Sequence, residues 1–120
     1  MRTQKINFPN RQALCVFPGE HSDLAQAVYE LQLDDTYPVF VLIGGDINKE
    51  QAVVARQAIQ TISRIAENMK ALVVCGGNDM GVMAKTGQAR QKNSYKFPLV
   101  GIVPAGLITA VPAKYRATDH

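Results

Sequence analysis

Charge is scarce in this chain: Asp, Glu, Lys and Arg make up 19% of its 120 residues, and no two basic residues stand together in a run. With a net charge of only +3, bulk nucleic-acid binding is unsupported. Cysteine is equally sparse. Cys15 and Cys75 each sit inside an apolar, strand-like run, where a buried free thiol is the ordinary state and a disulfide the unusual one. Their separation excludes zinc-ligand spacing, so no metal is expected. No segment approaches the ~18 consecutive apolar residues of a membrane span, which argues against membrane insertion. The first ten residues are polar, with Arg2 and Lys5 and no apolar stretch behind them, unlike a signal peptide or anchor. Together these absences point to a cytoplasmic protein.

What is abundant is apolar: 47% of the residues are hydrophobic, enough for one core and, at this length, one domain over residues 1–120. Ala13 to Phe17 reads as a strand closed by Pro18-Gly19. Ser22 and Asp23 can cap a helix whose apolar positions Leu24, Ala27, Val28 and Leu31 follow helical spacing, and the polar loop Asp34 to Pro38 stops it. Val39 to Ile43 is uniformly apolar, as expected of a strand covered on both faces. Asn48 with Gln51 resembles a capping box opening a long helix to about Asn68, its apolar face made of Ala55, Ala58, Ile59, Ile62, Ile65, Ala66 and Met69. Leu72 to Cys75 follows as a strand, Gly81 to Gln91 as a helix and Leu99 to Val103 as the last strand; after Gly106 the period is weak. Alternation of strand and helix predicts an α/β fold: a Rossmann-like three-layer sandwich with a mostly parallel sheet of about four strands.

Two strands empty into glycine pairs. Val39 to Ile43 ends in Gly44-Gly45-Asp46, and Leu72 to Cys75 ends in Gly76-Gly77-Asn78-Asp79-Met80-Gly81-Val82. The second turn lacks the G-x-G-x-x-G spacing of a dinucleotide site. It has G-x-x-x-x-G, but Val82 and Met83 stand where a P-loop needs Lys and Ser or Thr, which argues against triphosphate hydrolysis. What remains is a backbone anion site, with Gly44, Gly45, Gly76, Gly77, Gly81 and Val82 offering N–H groups and Asn78 a side-chain contact. The plainer reading is that the glycines only make tight βα turns. Strands joined by one crossover commonly lie side by side, which would bring both turns to the carboxyl edge where α/β sheets bind ligands. Asp46 and Asp79 either cap helices or accept hydrogen bonds from ribose hydroxyls. His21 reads as a solvated loop residue, and Lys85, Arg90 and Lys92 as a solvated helix face.

These motifs resemble the SLOG superfamily of Rossmann-like nucleotide-ligand domains, in the branch similar to the cytoplasmic domain of TRPM channels, termed LSDAT. The carrying residues are Val41-Leu42-Ile43-Gly44-Gly45, then Val74-Cys75-Gly76-Gly77-Asn78-Asp79-Met80-Gly81-Val82-Met83, Gly87 in the next helix, and Val100-Gly101-Ile102-Val103-Pro104-Ala105-Gly106. The resemblance covers about Ala13 to Gly106. It implies a pocket for a nucleotide-derived ligand such as ADP-ribose, an NAD-related molecule or a nucleoside monophosphate, and adds Pro104 and Gly106 to the pocket. It implies no resident cofactor. The distantly similar LOG and lysine-decarboxylase-like proteins share the second signature; LOG enzymes cleave nucleotide N-glycosidic bonds through a later P-G-G-x-G-T-x-x-E motif, which this chain lacks. A binding or sensing module is therefore expected in preference to a catalyst. The alternatives are a LOG-like N-glycosidase using Asp79 or Glu20, or an assembly subunit with a vestigial pocket. The family domain continues past the position of Gly106, so the sheet here is expected to have an open edge and the chain to form a homo-oligomer.

Overall fold

A computed structural model describes residues 2–8, 11–19, 21, 24–33, 37–45, 47–76 and 81–104. The chain divides into two compact units, residues 1–36 and 37–120.

The first unit holds β1 (Arg2–Phe8), β2 (Arg11–Phe17) and α1 (Leu24–Glu30). Its two strands pair antiparallel, with Arg2 opposite Phe17 and Phe8 opposite Arg11. The strand expected over Ala13 to Phe17 is present, but its recorded partner is the N-terminal segment, which sequence reading had left without structure. Two residues, Pro9 and Asn10, separate two equal runs in the sequence, a spacing that suits a hairpin, though Pro-Asn is not one of the dipeptides that mark one. Cross-strand side chains reinforce the pairing: the Arg2 guanidinium lies 4.2 Å from the Phe17 ring centroid, and Gln12 Nε2 donates to Asn7 Oδ1 at 2.9 Å. α1 buries Ala27 and leaves Leu24 and Tyr29 exposed. The caps expected from Ser22 and Asp23 lie outside the described residues, as do most of the loop after α1 and the segment after Pro104.

The second unit runs β3 (Val39–Val41), α2 (Ala52–Met69), β4 (Leu72–Gly76), α3 (Gly81–Lys92), β5 (Leu99–Ile102). Its strands form a parallel sheet in the order β3-β4-β5. The described sheet thus has three strands, where about four were expected. Each pair of neighbouring strands is joined by a helical crossover, α2 between β3 and β4 and α3 between β4 and β5, as parallel neighbours require. Because strand order steps in one direction, both right-handed crossovers place their helices on the same face. The core agrees: Val73, Cys75 and Leu99 pack with Ala66 of α2 and Met83 of α3, with Phe40 and Leu42 against them. Val39 and Val41, on the opposite face, are more than half exposed, as is Ile102. The expectation that Val39 to Ile43 is covered on both faces is therefore corrected. β3 is one of the two edge strands of the described sheet, and only the Phe40 and Leu42 side packs against the core.

α2 begins after Asn48, whose Oδ1 accepts the Gln51 N–H at 2.9 Å, half of the expected box. Its buried seam is Ile59, Ser63 and Ala66, whereas Ala58, Ile65 and Met69 face solvent; the apolar period located the helix but misassigned one flank. The helix stops at Lys70, held left-handed at φ 54°, where the chain turns back into β4.

One carboxylate and one guanidinium fix the entry to β5. Glu67 Oε2 accepts the backbone N–H of Lys96 at 2.6 Å and of Phe97 at 3.4 Å. Arg90, only 7% exposed, donates from Nε to the Phe97 carbonyl at 2.8 Å and lies over the Phe97 ring. The solvated face expected for Arg90 is thereby corrected: its charge is buried against a carbonyl and an aromatic ring. A charged acceptor that satisfies backbone donors leaves them stranded when removed. Glu67→Ala should lower unfolding free energy by about 1–3 kcal/mol in urea titrations, with Glu67→Gln, which keeps an acceptor, falling between it and the wild type.

Candidate functional site at the strand ends

The carboxyl ends of β3, β4 and β5 share one edge of the sheet. Val41 lies beside Val74, Leu42 N–H donates to Val74 O at 2.9 Å, and Gly76 lies beside Ile102. Gly44-Gly45 therefore leaves the sheet next to the end of β4, and Val103-Pro104 leaves it on the other side. Of the residues expected in the pocket, Gly44, Gly45, Gly76, Gly81, Val82 and Pro104 are described. Asp46, Gly77, Asn78, Asp79 and Gly106 lie outside the described residues, as does Glu20.

The glycines differ in what they permit. A Cβ on Gly44 would stand 2.6 Å from Val82 Cγ2, and one on Gly76 would collide with Met83 Sδ. Both residues let the first turn of α3 approach the strand ends more closely than any side chain would allow. Gly45 is unlike them: a Cβ there meets nothing among the described residues within 4 Å, and the residue is exposed. Gly81 opens α3 at φ 55°, a left-handed conformation natural to glycine. The side-chain hydroxyl of the buried Thr86 donates back to Val82 O at 2.7 Å, so it is satisfied inside the helix and is not available to a ligand.

The first turn of α3 carries no acidic side chain. A helix N-terminus presents unpaired N–H groups and a partial positive charge, so the edge formed by Gly45, Gly81 and Val82 is electrostatically suited to an anion. His21, exposed, belongs to the other unit. The recorded clefts among the described residues run between α2 and α3 and include none of these turn residues. Among the described residues no cluster of His, Cys, Asp or Glu could hold a metal ion, and no helix is long and apolar enough to cross a membrane.

Cys75 sits one residue before the turn, 5% exposed, its thiol donating to Gly76 O at 3.3 Å. Burial pushes its pKa up from 9.0 to about 11. The buried-thiol expectation holds for this residue; Cys15 is half-buried, and neither is in a disulfide.

Two measurements follow from this packing. Gly44→Ala should cost about 1–3 kcal/mol by overpacking against the stiff Val82 side chain. In a Val82→Ala background the same change should cost under about 0.5 kcal/mol, a non-additivity that a double-mutant cycle would read directly. For Cys75, the folded protein keeps a proton that the unfolded chain releases above pH 9. Its contribution is fully present below that pH and is lost as pH rises from 9 through about 11. The stability difference between the wild type and Cys75→Ala should shift against the wild type over that window in urea titrations.

A protein-family model described as SLOG in TRPM, prokaryote, matches residues 37–120. Those bounds coincide with the second compact unit, so β1, β2 and α1, including the Ala13 strand once grouped with the resemblance, lie outside the match. A search of curated proteins finds no match. With a match spanning well over half its residues, and carrying both glycine turns, the chain belongs to the prokaryotic SLOG-in-TRPM family.

Proposed function

We propose that the chain binds a nucleotide-derived ligand, such as ADP-ribose, an NAD-related molecule or a nucleoside monophosphate, at the carboxyl edge of its parallel sheet. The observation that carries this reading is the convergence of Gly44-Gly45, Gly76 and the acid-free first turn of α3 on one edge, within a unit whose family suggests nucleotide-related ligands. In this reading the ligand's phosphate takes the N–H groups of Gly45, Gly77, Gly81 and Val82, Asn78 adds a side-chain contact, and Asp46 or Asp79 accepts from ribose hydroxyls. Gly44 and Gly76 serve the site indirectly, by letting α3 stand close to the strands. Pro104 and Gly106 are assigned to the same site through the family resemblance. N-glycosidic cleavage is the alternative reading, in which Asp79 or Glu20 would supply the carboxylate.

Association of copies and a cytoplasmic location belong to the same proposal. β3 is an edge strand with Val39, Val41 and the 92%-exposed Ile43 facing solvent, a surface that proteins normally cover.

Calorimetry with ADP-ribose, NAD and AMP tests the function, and absence of heat at millimolar ligand would refute it. Gly45→Ala provides the site test. The new methyl enters open space, so stability should move by less than about 0.5 kcal/mol, while affinity should fall about tenfold, near 1.4 kcal/mol, if phosphate approaches that backbone.

A further inference from the structure

The layer formed by α2 and α3 has an unbalanced charge. Between them the helices carry Arg56, Arg64, Lys85, Arg90 and Lys92 against a single carboxylate, Glu67. Glu67 is occupied by the backbone N–H groups of Lys96 and Phe97, and Arg90 is buried against Phe97. The other four cations remain, with no carboxylate recorded beside any of them among the described residues. They do not scatter over the surface. Arg56, Lys85 and Lys92 line a cleft of about 170 Å³ between the helices, with Gln60, Gln88 and Asn93. Arg64 and Lys92 line a second of about 540 Å³, with Gln57, Thr61 and Tyr95. Gln60, Lys92 and Asn93 line both, so the two clefts adjoin and together form the α2–α3 groove.

The spacing of the charges decides what fits. Both helices return antiparallel to parallel strands and so run parallel to one another, which places Arg56 with Lys85 toward one end and Arg64 with Lys92 toward the other. At 1.5 Å per residue the ends are about 10–12 Å apart. No single phosphate reaches both. The walls between them carry the amides of Gln57, Gln60, Gln88 and Asn93 and the hydroxyls of Thr61 and Tyr95, groups that can donate to a phosphate, with Asn93 Nδ2 already donating to Ala89 O at 2.8 Å; Ile59, Ala89 and the Tyr95 ring add apolar surface. The cations at both ends, and not the mixed lining between them, favour a ligand charged along its whole length. A single-stranded nucleic acid would need stacking platforms that one tyrosine does not supply.

We propose that the α2–α3 groove binds a linear phosphate chain, of the chemistry of inorganic polyphosphate, separately from the nucleotide-ligand edge. The groove's cations displace the chain's counterions, so affinity rises with chain length and falls steeply with salt. The test is fluorescence anisotropy with end-labelled polyphosphate, competed by pyrophosphate and by unlabelled chains of about ten phosphates, units that together exceed the groove's length. The ten-phosphate chain should compete at least tenfold better than pyrophosphate. Arg64→Gln with Lys92→Gln should weaken binding about tenfold, and adding Arg56→Gln and Lys85→Gln should abolish it, with the circular dichroism spectrum unchanged because Arg56, Arg64 and Lys92 are exposed and Lys85 is only half-buried. Retained affinity in the fourfold variant, or no dependence on chain length, would overturn the proposal. So would an oligothymidylate or a polyglutamate of equal charge that competes as well as polyphosphate, since either would assign the groove to another partner. Gly45→Ala should leave polyphosphate affinity unaltered, which separates the outcome from that of the nucleotide site.

Discussion

The second unit depends on the absence of two side chains. Gly44 and Gly76 stand where α3 begins, and Val82 and Met83 occupy the space their Cβ atoms would take. That contact sets how closely the helix approaches the strand ends. The buried pairing of Met83 with Val73, Cys75 and Leu99 follows from it, as does the position of the helix N-terminus at the sheet edge. Glycine here costs backbone entropy in the unfolded chain, and the structure recovers it through close packing of helix on sheet. Packing thus falls on Gly44 and Gly76, while Gly45 has open space beside it among the described residues, which is what the proposed ligand approach requires.

Polar groups complete the same unit from the other end of its helices. Arg90 and Glu67 hold the segment before β5, one through a carbonyl and the other through two N–H groups, and Ser63 and Thr86 are buried within the helical layer. Such groups are tolerated in a core when their partners are supplied locally. Thr86 shows how: its hydroxyl returns to the carbonyl one turn back. By using Glu67 internally, the fold also removes the only carboxylate from the α2–α3 layer and leaves its outer groove positive.

Much of the second unit was legible in the sequence because its elements have strong local signatures. The period of α2, the apolar runs of β4 and β5, and glycines at strand ends each follow from a rule about one stretch of chain. The hairpin was missed because Arg2 to Phe8 is polar and mostly exposed, so it carries little hydrophobic pattern. The outward flank of α2 and the bare face of β3 were misread for a related reason. Hydrophobicity records what can be buried, and burial depends on whether another element arrives.

The sequence by itself determined the order of elements in the second unit, the two glycine turns, the family and the scarcity of charge. These depend on residue identity and short-range spacing. Only the tertiary structure decided which glycine is packed and which is open, that Arg90 turns inward, and that Arg56, Arg64, Lys85 and Lys92 share one groove. Cations distant in the chain look dispersed when read in order, but two parallel helices bring them within reach of one ligand. Parallel strand pairing, not any local motif, makes those helices neighbours.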